Sequence, residues 1–167
     1  MKIKLIITDI DGVWTDAGMY YDNNNNELKK FNTYDSAGIN FCKIIKIPVC
    51  VISGENQKSV KRRTKKLKIE YVFLGIDDKV KVAENLIKKL NIDFSEVAFI
   101  GDDINDYKLL SKVGFSAAPS SAPDYIKKIV KYKLKKKGGE GVFREFIEKL
   151  LLELKIDIQS LLINYKG

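Results

Sequence analysis

Histidine is absent from the 167 residues. Every mechanism that needs an imidazole is thereby excluded: Ser-His-Asp and Cys-His hydrolysis, His-ligated zinc and His phosphotransfer. Proton transfer has to run through carboxylate, lysine, tyrosine, thiol or water. Cysteine is scarce as well. Cys42 and Cys50 stand in apolar surroundings without CxxC spacing, which favours buried free thiols in a reducing compartment over a disulfide or a zinc site. With 3 Pro and 11 Gly the chain has too little of either for a collagen-like or disordered polymer. No apolar run approaches the roughly 20 residues of a membrane span. The N-terminal stretch MKIKLIITDIDG reaches Asp9 and Asp11 before a signal-peptide core can form. These absences point to the cytoplasm.

What is present suffices for one core. A content of 45% hydrophobic and 31% charged residues is that of a globular protein, and the length suits a single domain. The 30 Lys+Arg against 22 Asp+Glu give a net charge of +8. That favours anionic partners such as nucleic acid, phosphates or acidic sugars without choosing among them.

Short β-branched runs alternate with longer amphipathic stretches. The runs at 3–8, 48–52, 71–74, 97–100 and 115–118 are apolar on consecutive positions, as strands buried on both faces of a parallel sheet are. Helices are expected at about 35–45, 56–67, 78–90, 104–112 and 122–129. In the third, Val80, Ala83, Leu86, Ile87 and Leu90 recur at three- and four-residue spacing. The alternation predicts an α/β domain with a doubly wound parallel sheet. Residues 17–31 depart from it: two strand-like runs flank an Asn cluster, which predicts a projecting β-hairpin. Its aromatics Tyr20, Tyr21 and Phe31 need cover, either from the same domain or from another subunit. A Gly-rich turn and an amphipathic helix end the expected domain, which spans 1–154, and 155–167 form a tail.

Ligands of open α/β sheets bind at the carboxyl ends of the strands. Asp9-Ile10-Asp11-Gly12 follows the first run and Ser53-Gly54-Glu55 the second. A loop leading to Lys79 follows the third, and Gly101-Asp102-Asp103-Ile104-Asn105-Asp106 the fourth. Singly, each is an ordinary turn, cap or solvated lysine. Together they gather carboxylates on one rim, and these stay ionised only beside a cation. Oxygen ligands without His or Cys suit Mg²⁺ with a phosphate ester. One carboxylate can then attack phosphorus while a second, two residues on, serves as acid and base.

DIDGVWTD, ISGE, Lys79 in DDKV and GDDINDY resemble, in order, the four motifs of the haloacid dehalogenase superfamily of phosphatases. The hairpin, KFNTYDSAGI and KKGGEGVFRE extend the resemblance to its small-cap branch, over about residues 1–150. That branch acts on 8- or 9-phosphates of 2-keto-3-deoxy sugar acids, and the hairpin is its minimal cap. The resemblance implies that Asp9 is the nucleophile and a Mg²⁺ ligand. It makes Asp11 the general acid and base, with its backbone carbonyl on the metal, and Ser53 and Lys79 the holders of the phosphoryl oxygens. Asp102 binds Mg²⁺, and Asp103 and Asp106 support it. The resemblance also implies a homotetramer in which the hairpin and C-terminal segment of one subunit help close another's site.

For the sugar, octulosonate phosphatases of the branch commonly carry Arg directly after Gly54 of the second motif, where this chain has Glu55. Glu55 with Thr33, Arg63 and Lys66 is similar to phosphatases of nine-carbon, sialic-acid-like sugars. The expected substrate is therefore a nonulosonate 9-phosphate, Glu55 taking sugar hydroxyls and Arg63 or Lys66 the C1 carboxylate; 3-deoxy-manno-octulosonate 8-phosphate is the alternative. Most cations of KSVKRRTKKLK also read simply as a solvated helix face. Two rivals fit less well. A phosphoacceptor receiver domain carries its adjacent acid pair after the first strand, whereas here that pair follows the fourth. Nucleic-acid binding finds basic runs but no matching motif, so no nucleic-acid or membrane partner is expected.

Overall fold

Apolar residues at consecutive positions build a sheet whose four central strands are buried on both faces. The structure, a computed structural model, describes residues 2–24 and 26–163. Its main sheet comprises β1 (Leu5–Thr8), β4 (Val49–Ser53), β5 (Tyr71–Leu74), β6 (Val97–Ile100), β7 (Phe115–Ala118) and β8 (Tyr132–Lys133). They run parallel in the order β5-β4-β1-β6-β7-β8. Side chains alternate between two cores. Ile6, Val49, Val51, Ala98, Ile100 and Phe115 face one side, whereas Leu5, Ile7, Cys50, Ile52, Val97 and Phe99 face the other.

The first core is covered by α1 (Asp35–Ile44), α2 (Lys58–Lys66) and α6 (Val142–Glu153). The second is covered by α3 (Lys79–Leu90), α4 (Tyr107–Leu110) and α5 (Asp124–Lys127). Helices α1 and α6 pack against one another, and Gly38 permits the approach: a Cβ there would lie 3.1 Å from the Phe143 ring and 3.2 Å from the Arg144 Cα. Trp14 pins the turn after β1 to this core. Its ring centroid is 4.8 Å from that of Phe143, and its indole Nε1 donates to Thr8 Oγ1 at 2.9 Å.

The parallel α/β sheet follows the expected alternation, with differences at its margins. The hairpin over 17–31 reduces to two antiparallel two-residue strands, β2 (Tyr20–Tyr21) and β3 (Glu27–Leu28). The helix expected at 104–112 is a 3₁₀ turn (Ile104–Asp106) running into α4, because Asp103 and Asp106 cap one another across it. The helix expected at 122–129 shrinks to α5, starting after Pro123. Strand β8 was not expected. Within the segment 155–167, α7 (Ile158–Ile163) lays Ile158 and Leu161 against the first core; residues 164–167 lie outside the described residues. No helix among the described residues is long and apolar enough to cross a membrane.

Candidate active site

Connections leave β1 toward β4 and β5 on one side and later fill β6, β7 and β8 on the other. The carboxyl ends of β1 and β6 therefore flank the topological switch point, where open α/β sheets bind ligands. Asp9 follows β1 directly, and its N–H donates to the Ile100 carbonyl at the end of β6 at 3.0 Å. Gly101 and Asp102 follow that carbonyl. Ser53 ends the neighbouring β4, and Lys79 opens α3.

Lys79 is almost wholly buried, and its Nζ lies 2.9 Å from Asp9 Oδ1 and 2.6 Å from Asp106 Oδ1. Asp106 is held on both oxygens: Oδ1 accepts from Lys79, and Oδ2 from the Asp102 N–H at 2.9 Å and the Asp103 N–H at 3.5 Å. Asp9, Asp102 and Asp106 each offer a carboxylate oxygen within 4.8 Å of the others. Burial first, and then the charges of Asp106 and Asp102, push the Asp9 carboxyl well above its usual range despite the opposing pull of Lys79. Burial, then Asp106 and Asp103, push Asp102 up to about 7. Burial alone would lower Lys79, but the charges of Asp9 and Asp106 outweigh it and raise the ammonium.

One ammonium thus faces three clustered acids, and the site is short of positive charge. The hard, all-oxygen donors of Asp9, Asp102 and Asp106 fit Mg²⁺. Gly12 makes room for that arrangement. At φ +76° it adopts a left-handed conformation, and a Cβ on it would meet Asp102 Oδ2 at 1.8 Å.

The remaining expected residues fall into groups. Ser53 is buried beside Asp9's strand, its Oγ accepting from the Glu55 N–H at 3.3 Å. Gly54 and Glu55 are exposed at the same rim. Asp11 points from the three-acid cluster toward the hairpin: Oδ1 accepts from Thr15 Oγ1 at 3.0 Å and Oδ2 from Lys29 Nζ at 2.7 Å. Asp103 is exposed and binds the Ile104 N–H and the Tyr125 hydroxyl. Thr33 is exposed. Arg63 is turned to the first turn of α1 and the chain before it, its Nη2 donating to Ser36 Oγ at 3.0 Å and the Asn32 carbonyl at 3.1 Å. Arg63 and Lys66 line a cleft of about 940 Å³ between hairpin and α2, together with Lys29, Phe31 and Arg62. Sequence reasoning missed Lys29, Thr15 and Tyr125. Only the two-residue spacing of Glu27, in β3, and Lys29, just after it, hinted at the first.

A family model described as haloacid dehalogenase-like hydrolase matches residues 13–146. The 3-deoxy-D-manno-octulosonate 8-phosphate phosphatase of Haemophilus influenzae is 37% identical over 150 residues, covering 90% of this chain and 83% of that protein. The Escherichia coli K12 enzyme of the same name is 37% identical over 151 residues, 90% of this chain and 80% of its own length. Among solved structures, the phosphatase from Moraxella catarrhalis in complex with magnesium ion, phosphate ion and a KDO molecule superposes with a TM-score of 0.87 at 34% identity. It covers 90% of this chain and 86% of that one. With these likenesses over most of its length, and with the motif acids gathered at the switch point, the chain belongs to the haloacid dehalogenase-like hydrolases and is a phosphatase of that family.

Proposed function

We propose that the chain hydrolyses the phosphate monoester of a 2-keto-3-deoxy sugar acid through an aspartyl-phosphate on Asp9. The observation that carries this reading is the buried cluster of Asp9, Lys79, Asp106 and Asp102 at the switch point. Asp9 and Asp102, with the Asp11 carbonyl, would hold Mg²⁺, which when bound offsets the negative charge of the phosphoryl oxygens. Lys79 holds Asp9 and orients it, while Ser53 and Lys79 bind phosphoryl oxygens. An Asp9 carboxylate oxygen bonds to phosphorus as the bond from phosphorus to the sugar oxygen breaks, and that oxygen takes a proton from Asp11. Water then bonds to phosphorus, gives its proton to Asp11, and the bond from Asp9 to phosphorus breaks. Asp103 and Asp106 fix the loop that carries Asp102.

For the substrate, the relatives named above favour 3-deoxy-D-manno-octulosonate 8-phosphate over the nine-carbon acid that Glu55 suggests. Arg63 bonds Asn32 and Ser36, which weakens its candidacy for the C1 carboxylate and favours Lys66 and Arg62, which line the same cleft. A panel of 8- and 9-phosphorylated ulosonates, with Mg²⁺ and with chelator, tests the reading. The octulosonate should give the highest kcat/KM, with no turnover in chelator. A large preference for the nine-carbon ester would return the assignment to Glu55, and inactivity on every sugar acid would reject it.

The reaction belongs in a reducing compartment, the cytoplasm, since Cys42 and Cys50 are buried free thiols. The hairpin leaves Met19, Tyr20, Tyr21 and Leu28 exposed, which supports a tetramer closed by hairpins. Light scattering should give four protomer masses, and fewer for Tyr21→Glu; a wild-type monomer would remove the tetramer from the account.

A further inference from the structure

The nucleophile, phosphate and metal motifs leave Lys29 without a role. Its side chain is wholly buried, although it follows a two-residue strand whose neighbours Leu28 and Lys30 are exposed. Its Nζ reaches Asp11 Oδ2 at 2.7 Å and stands 3.6 Å from Glu27 Oε1. Glu27 Oε1 is itself buried without a hydrogen bond, and Glu27 Oε2 accepts from the side-chain amide of Gln57, just before α2. The enclosed ammonium is paired with two carboxylates, of which Asp11 is the nearer. The line Gln57, Glu27, Lys29, Asp11, Thr15 therefore ties the hairpin and the start of α2 to Asp11. A partly exposed aspartate has several rotamers to choose from. With Thr15 on one oxygen and Lys29 on the other, Asp11 keeps one.

We propose that Lys29 is a positioning residue: it orients the Asp11 carboxylate, and the docking of the hairpin on α2 through Glu27 and Gln57 sets that orientation. The inference rests on the phosphatase reading with Asp11 as acid and base. It follows that proton donation to the leaving sugar oxygen depends on the hairpin, while attack of Asp9 on phosphorus does not. An aryl ester separates the two, because p-nitrophenolate departs without a proton.

Lys29→Met in the full-length chain should lower kcat on the sugar acid phosphate about ten- to a hundredfold, with KM within about twofold. The rate of the first p-nitrophenolate burst should stay within about twofold, and Lys29→Arg should recover part of the lost kcat. Placed in Asp11→Asn, Lys29→Met should cost nothing further, because one group acts through the other. If Lys29→Met fails to fold, Lys29→Met/Glu27→Gln removes both buried charges together and should give the same pattern. Unchanged kcat on the sugar ester, equal loss of the aryl burst, or a loss additive with Asp11→Asn would overturn the inference. Should Asp11→Asn itself slow both esters equally in the first step, the acid role of Asp11 falls, and that of Lys29 with it.

Discussion

Asp35 is fully buried at the start of α1, with Oδ1 accepting from the Arg144 N–H at 3.1 Å and Oδ2 without a hydrogen bond. Burial outweighs that bond and the nearby Arg63 charge, and pushes its carboxyl up to about 6 from 3.8. Near pH 5 the folded protein therefore holds a proton that the unfolded chain has released. The stabilisation this proton supplies is complete below about pH 4 and is lost as pH rises through 6, when a buried acid has to ionise. Asp35→Asn does not titrate. Measured by urea unfolding, wild type should lose about 3 kcal/mol relative to this variant between about pH 3 and pH 8. A gap that stays constant over that range would mean that Asp35 ionises as freely in the fold as in the unfolded chain. At this scale the meeting of Asp9, Ser53 and Asp102 at one rim was legible in the sequence, because each stands at or just past the end of an apolar run, and Lys79 was legible as the first residue of the next helix. Lys29 was not: its partner lies 18 residues away, and only the folding back of the hairpin brings the two together.

The elements that carry the site are held by backbone approaches as much as by side chains. The loop after β8 crosses the turn after β1, and the Gly139 N–H donates to the Val13 carbonyl at 3.0 Å. A Cβ on Gly138 would come within 2.1 Å of the Gly12 carbonyl oxygen and 2.8 Å of the Thr15 carbonyl oxygen. Gly12 in turn lies under the Asp102 carboxylate. Gly138→Ala should therefore destabilise the fold by about 2–3 kcal/mol and lower kcat roughly tenfold by shifting the Asp102 carboxylate. Thermal unfolding and steady-state kinetics check both, and a stable variant of unchanged kcat would refute the coupling. The strands β1, β4, β6 and β7 were readable because burial on both faces leaves a continuous apolar signal, and β5, half-buried at the sheet edge, keeps the same apolar run. Strand β8 gave none: two residues at a sheet edge, one of them a lysine, carry no period. Helix α4 is shorter than its sequence pattern because the mutual capping of Asp103 and Asp106 selects a 3₁₀ turn before it.

For the molecule as a whole, the shortage of positive charge at the switch point links folding to the metal. Mg²⁺ at about a hundred times its Kd should stabilise the fold by about 2.7 kcal/mol, a rise in Tm of roughly 5–10 °C. Chelator should reverse the rise, and Asp102→Asn should lose most of it. An equal rise in Asp102→Asn would place the ion elsewhere. The central claim concerns Asp9, and it is tested most directly by acid-quenching the enzyme during turnover of a substrate labelled in its phosphate and mapping the labelled peptide. The account predicts acid-stable label on Asp9, and none in Asp9→Asn, whose kcat falls by a factor on the order of 10⁴ or more. Label on another residue, or full turnover by Asp9→Asn, would contradict it.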